Sequence, residues 1–284
     1  MKLLRVGAAG QERPAALDAD GRLVDLSGLV AEIDGDFLAG AGVSTVRAAL
    51  ASGDLPPLPD PAVRVGPPIA RPGKIVCVGV NYSEHASETV AELPTEPILF
   101  MKASNTVVGP DDQVLIPRGS SKTDWEVELA VVIGRPARYL ETDSAALACV
   151  AGYTISNDVS EREFQLERGG QWDKGKSCET FNPLGPWLVT ADEVPDPQRL
   201  GLRLSVNGQL RQDGSTRNMV FGVAEIVRYV SQFMVLEPGD VINTGTPGGV
   251  ALGLPEPKPY LRAGDVIEVE IDGLGRQRQT VGQA

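Results

Sequence analysis

The sequence predicts an α+β chain rich in β-structure, with a small N-terminal α/β domain (1–65) followed by a larger domain (66–284). Three observations lead there: short β-branched apolar runs from residue 75 onward, one clear amphipathic helix, and a proline-dense segment near residue 65. Taken in order, Lys2 to Val6 and Gly21 to Leu26 read as short strands, and Ser44 can cap a helix through Val46 and Leu50. Seven of the 22 prolines lie between residues 56 and 72, a density that suits neither a helix interior nor a central strand and marks a linker. The strand candidates beyond it are Ile75 to Val80, Ile98 to Met101, Val127 to Ile133, Val150 to Ile155, Leu202 to Val206, Val241 to Asn243 and Val266 to Ile271. Val223, Ile226, Val227, Val230 and Met234 recur at helical spacing until Pro238-Gly239 stops them. Gly239-Asp240 and Gly264-Asp265 each launch a strand, which reads as repeated turn chemistry rather than as a tandem repeat.

Charge excludes several classes of function. With 26 Lys and Arg against 38 Asp and Glu the formal net charge is −12, so the phosphate-neutralising surface of a nucleic-acid binder and the hold on an anionic membrane are both missing. No apolar window approaches the roughly 20 residues of a bilayer span, and Arg5 interrupts any signal-like stretch, so a cytoplasmic protein is expected. Cys77, Cys149 and Cys178 are odd in number and far apart, which spells neither a disulfide framework nor a zinc knuckle.

The strongest chemical signal is Trp125-Glu126-Val127-Glu128-Leu129. Residues two apart on a strand share a face, so Glu126 and Glu128 point the same way about 6.6 Å apart at the backbone. A solvated edge is the ordinary role of such a pair. Here the strand runs on as Ala130 to Ile133 without polar alternation, which implies burial, and buried adjacent carboxylates need a cation or a shared proton. All-oxygen ligation would favour Mg²⁺ or another hard ion. A third carboxylate, Asp158, falls at a strand end before the capping-box pattern Ser160 to Glu163, either as a turn residue or within reach of the ion.

His85 is the sole histidine. If Asn81 caps a helix there, His85 and Glu88 share a face, the arrangement of an oriented general base, although a lone histidine also serves as a surface or core residue. The stretch Gly170 to Ser177 satisfies the P-loop pattern, but no strand precedes it. Lys176 then reads either as a phosphate ligand or as a cation for an enolate or oxyanion. Thr244 to Gly249 is a glycine-rich turn, either purely structural or a cradle for a carboxylate.

From about Lys74 to the C-terminus these blocks together resemble the fumarylacetoacetate hydrolase family: Val78 to Tyr82 with His85 and Glu88, Phe100 to Lys102, Trp125 to Glu128, Asn157 to Ser160, Trp172 to Phe181, Pro183 to Pro186, and Thr244 to Pro247. The resemblance implies a mixed β-sandwich roll that is usually dimeric. It implies Glu126, Glu128 and Asp158 as ligands of Mg²⁺ or Mn²⁺, His85 and Glu88 as a water-activating dyad, and Lys176 as a catalytic cation. It also puts Lys102, Arg162, Gln165 and Thr246 at the substrate. The blocks around Arg162, Trp172 and Trp187 look most like enzymes of 2,4-diketo-3-deoxy-L-fuconate or L-rhamnonate type. The implied activity is metal-dependent C–C hydrolysis of a 2,4-diketo acid with release of pyruvate. The rivals are isomerisation, tautomerisation or decarboxylation at the same site, a P-loop nucleotide hydrolase, and a binding module without catalysis.

Overall fold

The structure, a computed structural model, describes residues 1–58, 60, 63–88 and 93–284, with 85–87 described as backbone only. Two sheets carry the fold, one of eleven strands and one of five, with a two-stranded ribbon beside them. Val127–Ile133, buried at every position, lies near the middle of the large sheet between Val150–Asn157 and Val241–Asn243. Its lack of polar alternation is thus the signature of a strand covered on both faces. The small sheet runs, from edge to edge, through Gln209–Ser215, Gly201–Val206, Val266–Ile271, Gly275–Gln283 and Val114–Ile116. Its inward side chains, among them Leu202, Leu204, Ile267 and Val269, join Val127, Leu129 and Val131 in one core.

Four of the predicted strands have the expected bounds, Lys2–Val6, Val127–Ile133, Val241–Asn243 and Val266–Ile271. The helix at Val223–Val230 ends earlier than its apolar spacing suggests, and Met234 instead closes a following turn. The repeated Gly-Asp turns behave alike: Asp240 Oδ2 accepts from the Glu237 amide at 2.6 Å and Asp265 Oδ2 from the Arg262 amide at 2.7 Å. Ser44 lies within the helix Gly42–Ser52 rather than at its cap, donating to the Ala41 carbonyl at 2.8 Å. Arg13–Leu17 is a strand that Pro14 hid from the sequence reading.

The proline-dense stretch holds more structure than a free linker. Val65–Gly66 pairs with Lys2–Val6, which in turn pairs with Asn182–Thr190, so the large sheet runs across residue 65. Arg64 reinforces this seam with Glu12 at 2.9 Å and Asp112 at 2.5 Å. Among the described residues no helix is long and apolar enough to cross a membrane.

Candidate metal and active site

Sheet register assembles the carboxylates. Val127 stands opposite Asn157, so the next step sets Asp158 beside Glu126, and the Asp158 amide donates to the Glu126 carbonyl at 2.9 Å. Glu126, Glu128 and Asp158 are all buried, and each offers a ligand oxygen within 4.8 Å of the others. The buried partner side chains divide unequally between them. Lys176 Nζ lies 2.7 Å from Glu126 Oε2 and 3.0 Å from Asp158 Oδ2. Lys102 donates to the other Asp158 oxygen and to the Val159 carbonyl. Arg162 reaches Asp124 Oδ2 and Glu126 Oε1, each at 2.8 Å, and donates to Gln165 Oε1 at 3.0 Å.

Glu128 is the exception. It makes no ion pair with a described lysine or arginine and accepts one hydrogen bond, from the Gly245 amide at 2.7 Å. Burial, then the charges of Asp158 and Glu126, hold its carboxyl well above the usual carboxylate range. Among the described residues, four buried carboxylates, counting Asp124, thus meet three buried lysine and arginine cations. The oxygen-only donor set with one carboxylate short of a counter-charge fits a hard divalent cation. Burial alone would drive Lys176 toward neutrality, but Asp158 and Glu126 outweigh it and raise its pKa, so it remains cationic.

Thr244 to Gly249 runs back along the glutamate strand. The Thr244 amide and hydroxyl both donate to the Leu129 carbonyl, and the Thr246 hydroxyl donates to the Val127 carbonyl at 2.8 Å. Gly245 has φ +95°, and a Cβ there would come within 2.7 Å of Asn81 Cβ, so only glycine brings its amide onto Glu128. Asn81 is no helix cap: its side chain donates to the Phe221 and Thr244 carbonyls and accepts from the Phe221 amide. The helix nevertheless forms, as Ser83–Glu88. Glu88 Oε2 accepts from the Gly249 amide at 2.7 Å, tying this helix to the glycine-rich turn. The side chain of His85 lies outside the described residues.

A cavity of about 210 Å³ opens over the carboxylates, with Glu126, Glu128, Arg162, Gln165, Lys176 and Thr246 in its lining. Lys102 lies behind Asp158 with its side chain fully covered. Ser160 does not start a helix. Ser160–Glu161 pairs with Thr123–Asp124, and Glu161 Oε2 accepts from the Phe164 amide at 2.6 Å at the head of a π-helical turn, Glu163–Glu167. Asp124 is a buried residue of the site that the sequence reading passed over. It is buried and accepts from the Trp125, Ala251 and Leu252 amides as well as from Arg162, and its place two residues before Glu126 is the signal that was available. The P-loop reading loses its geometry here, since Lys176 lies against two carboxylates that would repel a phosphate.

Residues 74–282 match the family model described as fumarylacetoacetate (FAA) hydrolase C-terminal. The chain belongs to the fumarylacetoacetate hydrolase family. A Burkholderia multivorans protein, a hydrolase by name, is 53% identical over 279 residues, 98% of each chain. A maleylpyruvate hydrolase from Sphingobium sp. SYK-6, solved with manganese(II) and pyruvate, is 30% identical with a TM-score of 0.80 and covers 100% of both chains. A 5-carboxymethyl-2-hydroxymuconate delta-isomerase from Mycobacterium smegmatis is 30% identical with a TM-score of 0.77, covering 100% of this chain and 99% of its own. The family fold thus carries both hydrolases and isomerases.

Proposed function

We propose that this protein is a divalent-metal-dependent hydrolase that cleaves a carbon–carbon bond in a 2,4-diketo acid, either an acylpyruvate or a 2,4-diketo-3-deoxy sugar acid, and releases pyruvate. The observation that carries the proposal is the buried triad of Glu126, Glu128 and Asp158, of which Glu126 and Glu128 line a cavity, with Glu128 paired to no described lysine or arginine. The hydrolase neighbour holding manganese and pyruvate supports it. Bound Mg²⁺ or Mn²⁺ would supply Lewis acidity toward the keto-acid oxygens.

The chain's own residues divide the remaining work. His85, oriented by Glu88, takes a proton from water, which adds to the carbonyl distal to the carboxylate. The bond between that carbonyl and the methylene breaks, and its electron pair passes into the pyruvate enolate, which protonation converts to pyruvate. Lys176 stands charged in the cavity lining, where it offsets the enolate charge. Arg162 and Gln165 orient the substrate carboxylate from the side of the cavity they line. In this reading the enzyme works in the cytoplasm as a homodimer, whose mass in solution is measurable by light scattering. Pyruvate release from a panel of 2,4-diketo acids, assayed with Mg²⁺, Mn²⁺ and EDTA, tests the proposal. Metal-dependent release is expected. Isomer formation without pyruvate would instead favour the second reading, an isomerase like the M. smegmatis neighbour.

A further inference from the structure

The cavity lining is of two kinds. Beside its polar groups stand Val78, Val80, Phe100, Leu166, Trp172 and Leu252, a wall of carbon. Both cations in the lining pair with buried carboxylates, Arg162 with Asp124 and Glu126, Lys176 with Glu126 and Asp158, and in the proposed reaction both serve the pyruvate half of the substrate. No other lysine or arginine lines the cavity among the described residues. A second carboxylate on the substrate would therefore be buried against hydrocarbon without a partner, and each hydroxyl of a polyol would lose hydrogen bonds to water.

The wall is fixed rather than incidental. Trp172 packs edge-on to Phe100, with centroids 5.4 Å apart, and Lys176 Nζ lies 5.1 Å from the centre of the Phe100 ring, which joins the wall to the polar groups. The indole lies close enough to the backbone that a Cβ at Gly79 would come within 2.5 Å of it. Val80 has φ +55°, a conformation that a β-branched residue strongly avoids and that glycine adopts freely. The chain nonetheless keeps an isopropyl group there, pinned by the three side-chain hydrogen bonds of its neighbour Asn81. Strain retained in a cavity wall points to a functional side chain.

We infer that the site selects 2,4-diketo acids whose acyl end is an uncharged hydrocarbon, and that Val80 and Trp172 are the residues that determine this specificity. The inference rests on the proposed reading of the cavity as a diketo-acid hydrolase site. The test compares kcat/KM for three substrates with the same pyruvate half, whose acyl ends are a short alkyl chain, a chain ending in a carboxylate, and a polyhydroxylated chain. The alkyl substrate is expected to lead by about tenfold or more, the worth of one or two methylenes in an apolar pocket. Trp172→Ala and Val80→Gly should each lower that lead, while oxalate, too short to reach the wall, inhibits both variants as it does the parent. Because glycine takes φ +55° without strain, Val80→Gly tests the wall in a folded protein, verified by its thermal melt. A carboxylate-ended or polyhydroxylated substrate turned over as fast as the alkyl one would overturn the inference and leave the proposed reaction standing. Pyruvate from none of the three would overturn both. Undiminished discrimination in the two variants would overturn the assignment to Val80 and Trp172.

Discussion

Replacing Glu128 by Gln should stabilise the metal-free protein and weaken its response to metal, two effects of opposite sign from one substitution. Glu128 is 2% exposed, has no described cation within ion-pair distance, and shares a cluster with two carboxylates whose ligand oxygens lie within 4.8 Å. At an effective dielectric constant of about 20, a like-charge pair at that distance costs roughly 3 kcal/mol, of which Lys176, Lys102 and Arg162 offset a part. Glutamine keeps the shape and the acceptor for the Gly245 amide while removing the charge, so a gain of about 1–3 kcal/mol is expected at pH 8. The pH dependence has a fixed sign. The folded pKa lies above the ordinary value of 4.5, so between the two the folded state holds more protons than the unfolded state. Stability of the metal-free protein therefore falls as pH rises through that window, by at most about 1.4 kcal/mol per unit, and the Gln variant lacks this slope. Denaturant titrations of both proteins from pH 5 to 8.5 in EDTA, repeated in Mg²⁺, measure these quantities. A Gln variant less stable than the parent in EDTA at pH 8, or equally stabilised by Mg²⁺, would refute the reasoning.

Loss of His85 in His85→Ala should lower kcat by roughly 10² to 10⁴ while calorimetry still finds bound metal, since the carboxylates supply the ligands. Lys176→Met should reduce turnover of the diketo acid and leave oxalate binding measurable; in the parent no alkaline loss of activity up to about pH 10 should trace to Lys176, whose carboxylate neighbours keep it charged. Oxalate with Mg²⁺ should protect against unfolding by about 2.7 kcal/mol at a hundredfold excess over Kd, whereas ATP with Mg²⁺ should give no shift; a nucleotide-only shift would count against the whole site. Asp124→Asn should destabilise by about 3–5 kcal/mol, because it leaves the buried Arg162 guanidinium short of a counter-charge, and urea denaturation in EDTA reads this apart from any metal effect.

The carboxylate cluster was legible because its signal is local. Glu126 and Glu128 lie two apart on a strand too apolar to be an edge, so composition and period together announced a buried like-charge pair. Asp158 was half legible, as a carboxylate at a strand end, but only the pairing of Val127 with Asn157 sets it beside Glu126. Local rules failed where long-range partners outbid them. Ser160 fits a capping box, yet Thr123–Asp124 claims its backbone for a ribbon. Asn81 fits a helix cap, yet Phe221 and Thr244 take its amide.

By itself the sequence determined the strand-rich class, the core strands from Val127 to Ile133 and from Val266 to Ile271, and the presence of acid, base and cation in ordered blocks. These depend on periodicity and residue type, which act over a few residues. Which cation serves which carboxylate, that Glu128 alone among them pairs with no described lysine or arginine, and that hydrocarbon and charge line one cavity of about 210 Å³ were decided by tertiary structure. Those facts depend on distances between groups 18 to 117 residues apart, and charge balance in a buried site is set by such distances rather than by sequence order.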